Sequence, residues 1–159
     1  MISKPIAPAF KHLWRSFCAG AALMAATFAV HAQGSTFKLP TREGVSTTVF
    51  WKATPDAKAT VLLFPGGGGG YGRVENGKAT SSNFLVRSAP YFTANGFNVA
   101  ILGRPNGKEL DFADRLAADH MTDLTKVLEF VKQKSDRPIW LVGTSRGTVS
   151  ATAMAIKVP

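Results

Sequence analysis

The sequence predicts an α/β fold: a mostly parallel sheet with crossover helices and an N-terminal antiparallel hairpin. Three observations predict it. Apolar runs, with Thr60 and Asn98 their only polar residues, recur at residues 60–64, 97–102 and 139–142, and a run without polar alternation marks a strand covered on both faces. The stretches between these runs are long enough for helices, and that alternation gives parallel strands joined by right-handed crossovers. Ahead of them, residues 45–51 are dense in Val, Thr and Phe, as a strand of an antiparallel hairpin at the sheet edge would be.

Residues 1–32 read as a secretory signal peptide. Lys4, Lys11 and Arg15 form a positive start, residues 19–30 are apolar, and Val30-His31-Ala32 places small residues where a signal peptidase cuts before Gln33. The apolar stretch, about a dozen residues, is too short for a membrane span, so no stable insertion is expected after leader removal. Residues 33–159 are then a single domain, periplasmic or secreted in a bacterium. Removing the leader's three bases lowers the net charge from +9 to +6. The remaining bases are scattered from Lys38 to Lys157 without a run or an aromatic stripe, a pattern unsuited to nucleic acid. Cys18, the only cysteine, goes with the leader. That leaves no disulfide or metal-thiolate chemistry, and no metal or organic cofactor is suggested.

In chain order, residues 36–53 form the hairpin, turning at Arg42-Glu43-Gly44. Thr54-Pro55-Asp56-Ala57-Lys58 leads into the first parallel strand. A short helix follows, capped at Ser88 with Pro90 in its first turn and closed by Asn95-Gly96. The clearest helix spans about residues 111–134, where Leu116, Leu124, Val127, Leu128 and Val131 recur at three- and four-residue spacing. Ser135-Asp136-Arg137-Pro138 ends it. The third strand and a small-residue helix complete the pattern.

Two segments carry chemistry. Gly143-Thr144-Ser145-Arg146-Gly147 directly follows the third apolar strand and opens a helix, which is the setting that gives G-x-S-x-G its meaning. Such a turn is sharp, so Cβ atoms at Gly143 and Gly147 would collide with the neighbouring strand and helix. Ser145 is lifted above the sheet edge at a helix N-terminus, where free N–H groups favour developing negative charge. Phe64-Pro65-Gly66-Gly67-Gly68-Gly69-Gly70-Tyr71-Gly72 likewise follows a buried strand. Its glycines let backbone N–H groups turn toward an anion. In an acyl-transfer enzyme Gly67 or Gly68 supplies one oxyanion donor and Arg146 the other.

At these two sites the sequence resembles the α/β-hydrolase superfamily, in particular its serine esterase and dienelactone-hydrolase-like members, over residues 45–156. The resemblance implies that Ser145 attacks the carbonyl of a small ester, thioester or amide and passes through an acyl-enzyme. It also implies a later acid and histidine to relay the proton. Two departures stand out. Pro65 replaces the histidine of the H-G-G-G loop, which leaves the loop without that side-chain brace. Only twelve residues follow Gly147, and none is Asp, Glu or His. The expectation is therefore the N-terminal portion of a longer hydrolase, truncated after the elbow helix and inactive alone.

His12 and His31 fall in the leader. His120, placed about nine residues into the long helix, would lie ~13 Å down its axis from the edge that carries Ser145. It is expected to pair with Asp119 and Asp123 on a helix face, outside any triad. Arg104-Pro105-Asn106-Gly107 reads as a turn, with Arg104 at the active-site edge. Gly72-Arg73-Val74-Glu75-Asn76-Gly77-Lys78-Ala79 approximates a phosphate-binding P-loop but lacks the final hydroxyl and does not start at the strand end. The alternative for the whole chain is a non-catalytic protein that holds a carboxylate or phosphate between the glycine loop and the helix N-terminus.

Overall fold

The computed structural model describes residues 33–158; the leader assigned to residues 1–32 lies outside them. In chain order the elements are β1 (Ser35–Arg42), β2 (Val45–Lys52), β3 (Ala59–Phe64), β4 (Val74–Glu75), β5 (Lys78–Ala79), α1 (Phe84–Ala94), β6 (Phe97–Pro105), α2 (Ala118–Lys134), β7 (Ile139–Gly143) and α3 (Gly147–Lys157). Among these residues no helix is long and apolar enough to cross a membrane.

The main sheet runs β1-β2-β6-β3-β7. The β1–β2 hairpin turns at Gly44, whose φ of +65° is a conformation that glycine adopts without strain. β2 joins β6 antiparallel, while β3 lies parallel between β6 and β7. Alternate side chains of the central strands feed two cores. Leu62, Phe64, Ala100 and Leu102 pack with Leu124 and Val127 of α2 and Met154 of α3 on one face. Val61, Leu63, Val99 and Ile101 pack with Leu85 and Val86 of α1 on the other. This double burial explains the apolar runs of β3 and β6, and each such leucine or phenylalanine contributes ~2 kcal/mol of hydrophobic stabilisation.

Four local expectations need correction. α1 starts at Phe84, not Ser88, because the Asn83 side chain accepts from the Leu85 N–H at 3.1 Å and caps it there. Ser88 and Pro90 lie inside this helix, and the Ser88 hydroxyl donates to the Phe84 carbonyl at 2.8 Å. α2 starts at Ala118, not near Asp111. The Asp111 and Asp114 carboxylates accept each other's backbone N–H groups, and Asp114–Leu116 forms a separate 3-10 turn. β7 is not buried on both faces. It pairs with β3 alone among the described residues, and Trp140 is 55% exposed. The second parallel strand also continues to Pro105, which places Arg104 in β6 and leaves Asn106-Gly107 as the turn.

The segment resembling a P-loop forms the β4–β5 hairpin, closed by Asn76 and Gly77 at φ +50° and +71°. Two consecutive positive φ values are what a tight two-residue hairpin turn requires.

Candidate active site

Parallel pairing brings the ends of β3 and β7 level, with Phe64 opposite Gly143. Both chemical segments therefore leave the sheet side by side. Ser145 follows with φ +48°, a left-handed conformation that a non-glycine residue adopts at a cost. α3 begins two residues later. The flanking glycines are required sterically. A Cβ on Gly143 would lie 2.7 Å from the Gly147 carbonyl oxygen and 2.7 Å from the Thr148 Cα, and one on Gly147 would overlap the Phe64 carbonyl. Ser145 is exposed, and among the described residues its hydroxyl has no hydrogen-bond partner.

The glycine loop abuts this turn. A Cβ on Gly66 would lie 2.8 Å from the Thr144 carbonyl oxygen. Gly67 and Gly69 have φ +60° and +77°, and the Gly69 N–H closes a turn onto the Gly66 carbonyl at 3.1 Å. The Leu110 N–H donates to the Gly68 carbonyl at 3.1 Å. Among the described residues, no group accepts from the N–H of Gly67, Gly68 or Arg146. Outside the loop lies a cavity of about 620 Å³ whose walls include Thr36, Thr48, Tyr71, Ser81 and Arg104.

Side chains brace the loop despite the proline at position 65. Arg104 Nε donates to the Gly69 carbonyl at 2.9 Å, while its Nη2 pairs with Glu109 at 3.0 Å. Arg115, only 1% exposed, donates from Nη2 to the Gly67 carbonyl at 3.0 Å and from Nη1 to the Ser150 hydroxyl at 3.0 Å. His120 is the third residue of α2, not the ninth or tenth of a longer helix, and is 3% exposed. Its Nε2 lies 3.0 Å from Ser150 Oγ. Burial first, then the charge of Arg115, pulls this imidazole from 6.5 down to about 4. The ring is therefore neutral near pH 7. Asp119 and Asp123 do not pair with His120. Arg42 takes both, at 2.6 Å to Asp119 and in a two-pronged contact of 2.8 and 3.0 Å with Asp123.

Solved structures share this arrangement of strands and helices. The chain is similar to DcsB, solved in complex with its substrate analogue, at 22% identity and TM-score 0.55 over 79% of this chain and 42% of that one. It is also similar to a cold-adapted esterase from an Arctic intertidal metagenomic library, solved with PEG bound, at 19% identity and TM-score 0.54 over 80% and 57%. An esterase of Pyrococcus furiosus matches at 16% identity and TM-score 0.54 over 80% and 46%. The chain has the α/β-hydrolase fold. It spans about half the length of the solved structures it matches. No protein-family profile and no curated protein sequence matches it.

Gly143, Ser145, Arg146 and Gly147 lie at the end of β7 and Gly67 and Gly68 follow the end of the neighbouring β3, with Gly66 against Ser145, while His120 lies 3.0 Å from Ser150. Among the described residues no cluster of three or more His, Cys, Asp or Glu side chains is placed to hold a metal ion. Sequence reasoning missed Arg115 and Ser150. Arg115 stands among charged neighbours in a loop, and Ser150 stands in a run of small residues, so neither carries a pattern that announces burial.

Proposed function

We propose that this chain belongs to an exported serine hydrolase that cleaves a small ester, thioester or amide through an acyl-enzyme. Ser145 is the nucleophile. The N–H of Arg146, with that of Gly67 or Gly68, holds the tetrahedral oxyanion; each such donor typically contributes ~10²-fold or more in rate. The observation that carries this reading is the left-handed Ser145 between two sterically obligatory glycines, with a glycine loop carrying unused N–H donors beside it. The solved esterases of similar fold support the same class of reaction. The charged start, apolar stretch and small-residue site within residues 1–32 support export.

Among the described residues His120 is the one histidine, and it faces Ser150. The proton relay of this proposal is therefore assigned outside these residues, and residues 33–159 alone are expected to turn over negligibly. The test is hydrolysis of p-nitrophenyl esters by the protein expressed from its natural gene through its own stop codon. Turnover abolished in Ser145→Ala supports the reading. Turnover that survives this substitution overturns it, and anion binding without any turnover favours the non-catalytic alternative.

A further inference from the structure

Arg115 is the largest fully buried side chain among the described residues, yet no carboxylate pairs with it there. A buried charge without a counter-ion is costly, and hydrogen bonds from Nη1 and Nη2 offset that cost only in part, because Nε has no partner among the described residues. Its partners are distributed in a telling way. Nη2 reaches the Gly67 carbonyl at 3.0 Å and the Pro65 carbonyl at 3.4 Å, both in the glycine loop, while Nη1 reaches Ser150 on α3. One guanidinium thus ties the loop to the helix that begins at the serine turn. Ser150 is held in turn by His120 at 3.0 Å. A neutral imidazole suits that place, since an imidazolium would set a second cation beside the first.

The peptide plane adds a direction. In a trans peptide the C=O and the following N–H point opposite ways. Holding the Gly67 carbonyl turns the Gly68 N–H away from Arg115, and that N–H has no acceptor among the described residues. A cationic donor on the carbonyl also polarises the same peptide unit, so its N–H becomes a stronger donor. The geometry points to Arg115 as a positioning residue that locks the Pro65–Gly69 loop against α3 and, of the two glycine N–H groups, aims and strengthens that of Gly68. This inference rests on the reading of Ser145 as nucleophile for its catalytic meaning, but the hold on the loop stands on its own contacts.

The test is amide exchange and glycine-selective NMR on the full chain, comparing wild type with Arg115→Met. The Gly69 and Leu110 amides, which donate within the loop and onto it, should exchange at least about tenfold faster. The Gly68 amide proton should move upfield, toward a weaker donor. Leu62 and Ile101, in β3 and β6, should be unaffected. Arg115→Lys, which keeps the charge and one contact, should recover part of both effects, and it carries the same test if Arg115→Met fails to fold. Unchanged exchange at Gly69 and Leu110 together with an unmoved Gly68 resonance overturns the inference, whatever Ser145 does. Turnover that survives Ser145→Ala while the loop loosens as described overturns the reading of Ser145 and supports the hold of Arg115.

Discussion

Gly66 and Ser145 stand so close that a Cβ on the glycine would lie 3.0 Å from the serine Cβ. The loop after β3 and the turn after β7 are therefore fitted to each other without a spare methyl. Gly66→Ala should force them apart and cost about 1–3 kcal/mol, the usual penalty of overpacking. Gly67→Ala is the informative contrast. Nothing lies within 4 Å of its added Cβ, so only the φ of +60° resists, at about 1 kcal/mol. Urea unfolding of the two variants measures the difference.

Ser145 itself is strained. Its φ of +48° suits glycine, so Ser145→Gly should stabilise the chain by roughly 1 kcal/mol while removing the hydroxyl on which the proposed chemistry depends. A rise in urea midpoint at unchanged slope is the expected outcome.

Arg42 fastens the hairpin to α2 through Asp123, which is 1% exposed. Arg42→Met leaves that carboxylate buried and unpaired and should cost about 3 kcal/mol. Adding Asp123→Leu should restore most of the loss, because the pair is replaced by apolar groups. A double-mutant cycle in urea checks both statements.

Acid should weaken the fold through His120. The folded chain keeps this ring neutral down to about pH 4, whereas an unfolded chain protonates it near 6.5. The unfolded state therefore binds more protons between those values. The contribution is level above about pH 6.5, is lost as pH falls through the window to about 4, and changes little below it. The full loss is about 3 kcal/mol. His120→Gln should flatten the stability profile across that window, as read from urea midpoints at successive pH values.

The central strands were legible because burial on both faces writes itself as an apolar run, as at Val61-Leu62-Leu63. The serine turn was legible because its glycines are steric necessities. Helix starts were less so: Asn83 and Ser88 are both plausible caps, and only the contact to the Leu85 N–H decides between them. Asp111 and Asp114 tie up the backbone before α2, and this moved His120 from mid-helix to its start. The brace of the glycine loop was hidden because Arg115 acts through tertiary contacts that leave no periodic trace in the sequence.

The most direct test of the account is covalent labelling of the natural gene product with a fluorophosphonate, followed by mass spectrometry of the modified peptide. The account predicts one adduct, on Ser145, absent from Ser145→Ala. Labelling at another residue, or equal labelling of both proteins, would contradict it.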